Sequence, residues 1–257
     1  MRRTVIILGG GKGQRMGGDL PKQFIPLQGK PVLMHTIDVF YRWDQTIDLV
    51  LVIPEEHATY WSMLCRELNF TIPHKIVLGG ETRFHSVRNG LLSLPAPPAG
   101  YTNVPPDLIS LNSPISILHS VFSPDSPSAS LIAVHDGVRP FVSPDVISAC
   151  FEKAEAYGAA IPVIPMIDTV RVINGDANCA FDRTRLRVVQ TPQVFHADIL
   201  RKAYEQPYDK CFTDDASLVE ASGHPIYLVE GNHENIKITT PVDIQYAKIL
   251  MENKKNF

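Results

Sequence analysis

Five short β-branched runs, separated by segments of helical periodicity, constrain this chain more than any other feature of its sequence. Thr4–Leu8, Asp48–Ile53, Lys75–Leu78, Leu131–Val134 and Ala159–Val163 are apolar almost without interruption, the pattern of strands buried on both faces. Residues 31–43, 55–68 and 81–94 lie between them and space their apolar positions as amphipathic helices do. A hydroxyl residue before a proline marks two further helix starts, Ser143-Pro144 and Thr240-Pro241. There the side-chain oxygen accepts from the first turn, and the fixed φ of proline suits the first helical position. Strand–helix–strand units in series imply an α/β chain with a mostly parallel, twisted sheet and helices on both faces. In such a sheet ligands bind in the loops that leave the carboxyl ends of the strands.

The length of 257 residues suits one large unit of this kind, taken as a single domain over 1–257. Lys and Arg total 24 against 27 Asp and Glu, a net charge of −3, so there is no basic field for a nucleic-acid backbone. Cys65, Cys150, Cys179 and Cys211 show neither zinc-ligand spacing nor a disulfide framework. No stretch approaches the roughly 20 apolar residues of a membrane span. The apolar run after Arg3 is too short for a signal peptide, so a cytoplasmic protein without a membrane partner is expected.

Two segments break the alternation. Residues 95–130 hold eight of the 21 prolines and only two charged residues, Asp107 and Asp125, which reads as a surface insertion with one short hairpin near Leu108–Phe122. Residues 166–190 carry Asn174-Gly175 between two β-rich stretches, the signal of a hairpin that leaves the sheet as an arm.

The first loop carries the strongest chemical signal. Gly9, Gly10, Gly11 and Gly13 strip side chains from the backbone after the first strand, so N–H groups can approach a polyphosphate, and Lys12, Arg15 and Lys22 add positive charge. A flexible glycine turn with solvated cations is the plainer alternative. The loop is not a Walker A, because Gly13 follows Lys12 where Ser or Thr is required, and Met16 takes the place of the third glycine of GxGxxG.

This loop, followed by Pro21-Lys22-Gln23, resembles the GGxGxRM and PKQ signature of nucleotidyltransferases that transfer a nucleoside monophosphate. Further motifs follow in order: Gly79–Arg83 with Ser86, His135–Pro140, Asp168-Thr169, Asp182-Arg183, Thr191–Gln193, Thr213–Ala216 and Asn235–Thr239. Together they resemble the 2-C-methyl-D-erythritol 4-phosphate cytidylyltransferase family from Arg3 to about Ile249, interrupted only by the 95–130 insertion. The resemblance implies a Rossmann-like, three-layer nucleotidyltransferase fold with a protruding β-arm at about 166–190 that builds a homodimer.

It also implies the reaction. The phosphate of methylerythritol phosphate attacks the α-phosphorus of CTP, and pyrophosphate leaves with magnesium (Mg2+) bound. A phosphate monoester is mostly dianionic at neutral pH, its second pKa being about 6, so the nucleophile needs no general base. Alignment of two anions and neutralisation of developing charge are what remain to be supplied. By the same resemblance Arg15 and Lys22 stabilise the transition state, while Arg183 and Lys237 position the attacking phosphate. Gly9, Gly10, Gly11 and Gly13 bind the CTP phosphates. Gly80, Glu81 and Ser86 recognise cytosine, with Glu81 standing where the family often has Asp. Asp136 belongs to the CTP, substrate and metal region, with Arg139 beside it; a loop aspartate capping nearby N–H groups is the alternative. Thr169 contacts substrate from the arm, and Thr191 is a further substrate contact.

His135 reads as a hydrogen-bonded neighbour. Asp214 and Asp215 resemble an N-capped first helical turn after Thr213, where acidic residues are favourable in any case. Inside the wider family, ribitol-5-phosphate cytidylyltransferase shares the glycine loop and HDxxRP, but Phe181–Leu186 and Thr213–Leu218 look more like the methylerythritol enzyme. A sugar-1-phosphate nucleotidyltransferase fits the later motifs poorly. A nucleotide-sensing protein without turnover could lose Arg15, Lys22 or Lys237, and all three are present.

Overall fold

The computed structural model describes residues 1–10, 20–95 and 130–253. Gly11, Lys12, Gly13, Arg15 and the hairpin expected near Leu108–Phe122 lie outside the described residues. The chain opens with β1 (Arg2–Leu8), then the short β2 (Pro26–Leu27) and β3 (Lys30–Pro31), α1 (Val32–Trp43), β4 (Asp48–Ile53), α2 (Glu55–Glu67), β5 (Lys75–Leu78) and α3 (Arg83–Leu92). It resumes with β6 (Ser130–Asp136), α4 (Pro144–Tyr157), β7 (Ala159–Pro165), β8 (Val170–Asn174), β9 (Ala177–Phe181), β10 (Arg187–Val189) and β11 (Gln193–His196). Last come α5 (Ala197–Ala203), α6 (Asp215–Ala221), β12 (Tyr227–Glu230) and α7 (Pro241–Asn253).

β1 lies at the centre of an eight-stranded sheet, parallel to β4 on one side and β6 on the other. β5 extends the β4 edge in parallel. On the other flank β11 pairs antiparallel with both β6 and β7, β10 continues the antiparallel pairing with β7, and β12 joins β7 in parallel. Six strands therefore share one direction and only β10 and β11 oppose it.

Alternate strand residues feed two cores, as a sheet covered on both faces requires. Val5, Ile7, Leu49, Leu51, Leu131 and Ala133 face α1, α2 and α4, whereas Ile6, Val50, Val52, Ile132 and Val134 face α3, α5 and α6. A smaller cluster of Leu27, Val32, Val138, Phe141, Ile238 and Ala247 fastens α7. The helix starts obey their local chemistry. Ser143 Oγ accepts from Val146 N at 3.2 Å with Pro144 at the first position, and Asp243 Oδ2 accepts from the N–H groups of Thr239 and Thr240 at 2.8 and 2.7 Å. No helix among the described residues is long and apolar enough to cross a membrane.

Three expectations change. Lys75–Leu78 is not buried on both faces: among the described residues β5 pairs only with β4, and Ile76 and Leu78 are exposed. Residues 187–189 have already returned to the main sheet as β10, so the segment outside it ends before Gln190. The cap of α6 is Asp214 rather than Thr213, with Asp214 Oδ1 accepting from Ser217 N at 2.9 Å and Ser217 Oγ accepting in return from Asp214 N. The Asn174-Gly175 signal lies where β8 turns into β9, with Gly175 at φ +58°, and nearly every residue of this hairpin is exposed.

Candidate active site

Three backbone segments leave the same edge of the sheet and are tied to one another there. Leu8 stands opposite Asp136 in the β1–β6 register, and Gly137 N donates to Leu8 O at 2.9 Å. Gly9 N donates to Val52 O and Gly79 N to Ile53 O, both at 2.8 Å. The two glycines that begin the phosphate loop differ in purpose. A Cβ on Gly9 would lie 2.6 Å from Ile53 Cγ2, so the sheet's own packing demands glycine there, whereas a Cβ on Gly10 would meet nothing within 4 Å among the described residues. At the second loop a Cβ on Gly80 would lie 2.4 Å from the Cβ of His85, and Gly80 N donates to Ser86 Oγ at 3.1 Å. Thr82 caps α3, which fixes this turn, and Glu81 points outward, exposed.

Asp136 is the electrostatic centre. It is buried, and a single oxygen, Oδ2, accepts from Arg139 Nε and Lys237 Nζ, each at 3.1 Å. Burial alone would raise its pKa; the positive charges of Lys237, Arg83 and Arg139 outweigh that and hold the carboxyl well below the usual carboxylate range. Arg139 is braced further by donating from Nη1 to Asn235 O at 2.7 Å. Lys237 is positioned by the chain around it, since Ile238 N donates to Val138 O at 3.0 Å, and its side chain remains 43 % exposed. It is the most accessible cation of the cluster.

Arg83 was visible in the sequence only as the end of the Gly79–Arg83 motif. Here its guanidinium pairs with Asp215, a fully buried carboxylate whose other oxygen accepts from the Tyr204 hydroxyl at 2.6 Å. Burial opposes the Arg83 charge, but Asp215 more than compensates and raises its pKa. The Tyr204 phenol is pushed well above its ordinary value by burial and by the same carboxylate. Gln193 ties β11 to this corner, donating to Asp214 Oδ2 at 2.7 Å and accepting from Ala216 N at 2.9 Å. Neither Asp215, Tyr204 nor Gln193 was identifiable as a partner from sequence, because the pairings cross up to 132 residues.

Thr191, the further substrate contact that the resemblance implies, also holds the backbone of Asp136. It is buried, and its hydroxyl accepts from Asp136 N at 3.1 Å while facing His135 Nδ1 at 3.0 Å. His135 is fully buried, and burial lowers its pKa to about 4, so the ring is neutral at pH 7. The hydrogen-bonded neighbour expected at this position is what the geometry gives.

Within one chain the structure gathers Gly9, Gly10, Gly80, Ser86, Asp136, Arg139, Thr191 and Lys237 along the carboxyl edge. Lys22 follows the glycine loop in a short 3-10 turn whose next residues, Gln23 and Phe24, are buried, Phe24 packing edge-on against His57 and Tyr60 of α2. Arg183 and Thr169 lie on the exposed segment on either side of the β8–β9 hairpin. Arg183 donates to Ile167 O, and no contact joins it to the Asp136 cluster among the described residues. No group of three or more His, Cys, Asp or Glu that could cage a metal occurs among the described residues.

A model of the family described as 2-C-methyl-D-erythritol 4-phosphate cytidylyltransferase matches residues 3–99 and 119–253. The protein of that name from Bacteroides thetaiotaomicron is 45% identical over 251 residues, 98% of this chain and 100% of its own length. The crystal structure of 4-diphosphocytidyl-2C-methyl-D-erythritol synthase from Anaerococcus prevotii superposes with a TM-score of 0.73 at 25% identity, covering 98% of this chain and 96% of that one. The 2-C-methyl-D-erythritol 4-phosphate cytidylyltransferase of Thermus thermophilus superposes with a TM-score of 0.68 at 28% identity, covering 98% and 100%.

Proposed function

Starting from the fact that the chain belongs to the 2-C-methyl-D-erythritol 4-phosphate cytidylyltransferase family and catalyses CTP-dependent cytidylyl transfer to 2-C-methyl-D-erythritol 4-phosphate in isoprenoid biosynthesis, we propose that the cluster around Asp136 is its active centre. One observation carries this reading: a buried carboxylate holds Arg139 and the half-exposed Lys237 on a single oxygen, at the strand edge where the glycine loop begins.

In the reaction a phosphate oxygen of methylerythritol phosphate forms a bond to the α-phosphorus of CTP. The bond from that phosphorus to the oxygen bridging it to the β-phosphate breaks, and pyrophosphate leaves. Asp136 neutralises part of the cationic charge and aims the rest. An incoming phosphate competes with Asp136 for Lys237, so the ammonium can turn to the substrate without a large movement. Arg15 and Lys22 stabilise the charge that builds on the α- and β-phosphates, and the backbone of Gly10, Gly11 and Gly13 cradles the triphosphate, whereas Gly9, its N–H given to Val52 O, seats the start of the loop on the sheet. Gly80, Glu81 and Ser86 read the cytosine. No residue in this scheme has to remove a proton, in keeping with a neutral, fully engaged His135.

The donor set suits magnesium, which commonly binds through one or two carboxylates together with substrate phosphates rather than in an all-protein cage. Asp136 would hold it through Oδ1, since both cations take Oδ2. Magnesium supplies neutralisation of phosphate charge. The setting in this reading is the cytoplasm.

Arg183 and Thr169 complete the site from a second copy of the chain. The exposed apolar side chains of Val172, Ile173 and Phe181 on the hairpin support a homodimer, because an arm with such residues needs a partner surface. A two-fold contact would carry each arm into the partner's site. Mixing inactive Lys22→Ala with inactive Arg183→Ala protein after subunit exchange tests this. With random pairing about half the dimers are mixed, and each holds one intact site, so activity recovers to roughly a quarter of wild type. No recovery despite demonstrated exchange contradicts the arm reading.

A further inference from the structure

We propose that His135 is a positioning residue for the reaction, fixing the turn that presents Asp136 and Arg139 by acting through Thr191. The inference rests on the active-centre reading above and adds a residue that does not touch substrate. His135 lies next to Asp136 in β6, with its ring edge-on to Phe40 at 4.8 Å between centroids. Both ring nitrogens are engaged: Nδ1 faces the Thr191 hydroxyl and Nε2 the carbonyl of Arg139, each at 3.0 Å.

The proton positions follow from donor and acceptor chemistry. The Arg139 carbonyl can only accept, so Nε2 carries the hydrogen. With that hydrogen on Nε2 the neutral ring offers Nδ1 as an acceptor, so the Thr191 hydroxyl donates to it while its oxygen accepts from Asp136 N. The result is a closed circuit from the Asp136 N–H through the Thr191 hydroxyl and the His135 ring to the Arg139 carbonyl. Arg139 N donates to Asp136 O at 3.1 Å and completes the turn inside it. Thr191 itself is anchored, its carbonyl accepting from Asn235 Nδ2 at 2.9 Å. The circuit therefore grips the backbone at both residues whose side chains form the 3.1 Å Asp136–Arg139 pair. A misplacement of about 1 Å in such a pair can cost on the order of 100-fold in rate, so a device of this kind matters for catalysis beyond its contribution to packing.

The test separates positioning from packing. His135→Phe keeps the ring and its contact with Phe40 but makes neither hydrogen bond. His135→Asn fills the core worse but keeps an acceptor where Nδ1 was. Positioning predicts that the Phe variant loses about 100-fold in kcat/KM for methylerythritol phosphate and that the Asn variant stays at least tenfold above it. Packing alone predicts the reverse order, with Phe the more active, and that order overturns the proposal. Because Thr191 and His135 grip the same turn, adding Thr191→Val to His135→Phe should cost more than the single variant, since Asp136 N then loses its acceptor, but less than the product of the two single losses, whereas fully multiplicative losses overturn the proposal. Should His135→Phe not fold, long-range proton–nitrogen NMR of the wild-type protein decides: hydrogen on Nε2 upholds the circuit and hydrogen on Nδ1 refutes it. Failure of the active-centre reading is distinguishable. It would show in the Lys237→Ala protein, as unimpaired pyrophosphate release, while the tautomer result would stand unaffected.

Discussion

Replacing Asp215 by alanine should unfold the protein at a markedly lower temperature. The residue is completely buried, and its carboxylate serves both the Arg83 guanidinium and the Tyr204 hydroxyl. Removing one partner of a buried ion pair leaves the other charge uncompensated, at a cost of about 3–5 kcal/mol. The Arg83 side chain is 30 % exposed, so water screens part of that charge and the lower end applies. A buried hydroxyl stripped of its acceptor adds about 1 kcal/mol, for a total near 4 kcal/mol. At about 2–4 °C per kcal/mol for a chain of this size, Tm should drop by roughly 8–16 °C. Removing both charges with Arg83→Met and Asp215→Leu should recover most of the loss, since a well-packed apolar pair often matches a buried ion pair. Scanning calorimetry with urea unfolding measures all three proteins. An Asp215→Ala protein within about 1 kcal/mol of wild type, or a double variant no better than the single one, refutes the reasoning.

Lys22→Ala should lower kcat by about 100- to 1000-fold, as loss of one transition-state donor does, with little change in Tm; parallel losses of both would point to a structural lysine. Gly80→Ala forces a Cβ to 2.4 Å from that of His85, so the turn must shift and KM for CTP should rise, which steady-state kinetics with varied CTP reads directly. His74 accepts from Trp61 Nε1 at 2.9 Å, and burial lowers its pKa. Because its folded value lies below the unfolded one of about 6.5, its share of stability is complete above that pH and is lost as pH falls below it; an NMR titration midpoint at the ordinary value contradicts this. Excising residues 100–118, which the family model passes over, should leave folding and CTP binding intact, because closure entropy grows slowly with loop length. An insoluble product would show that the segment packs against the body.

Most of the parallel strands were legible because each is a continuous apolar run followed or preceded by a periodic helix. β1, β4 and β6 stand where the sequence placed them. β5 was legible as a strand but not as an edge, since Lys75–Leu78 has the composition of its buried neighbours and only the pairing reveals its exposed side. β11 and β12 escaped notice. Each is four residues long, and the insertion of an antiparallel strand between β6 and β7 is a non-local event with no periodic signature. In the candidate site, Asp136, Arg139 and Lys237 were marked by ordered motifs, and the structure joins them through one carboxylate oxygen. Asp215 resembled a favourable first-turn acid; that it is the buried counter-charge of Arg83 depends on α3 and α6 meeting on one face of the sheet. Thr191 stood in a motif that resemblance tied to substrate; that its hydroxyl meets Asp136 N and His135 depends on segments 55 residues apart and has no local signature.

Pyrophosphate release is the most direct measure of whether the Asp136 cluster carries cytidylyl transfer. Wild-type protein and Lys237→Ala would each be given CTP and magnesium with either 2-C-methyl-D-erythritol 4-phosphate or ribitol 5-phosphate. The wild type should release pyrophosphate with methylerythritol phosphate and only at background with ribitol phosphate. Lys237→Ala should lose about 100-fold or more in kcat/KM, as removal of a charge aimed at the reacting phosphates does, while keeping its Tm within a few degrees. A Lys237→Ala protein as active as wild type, or a wild type that prefers ribitol phosphate, contradicts the account.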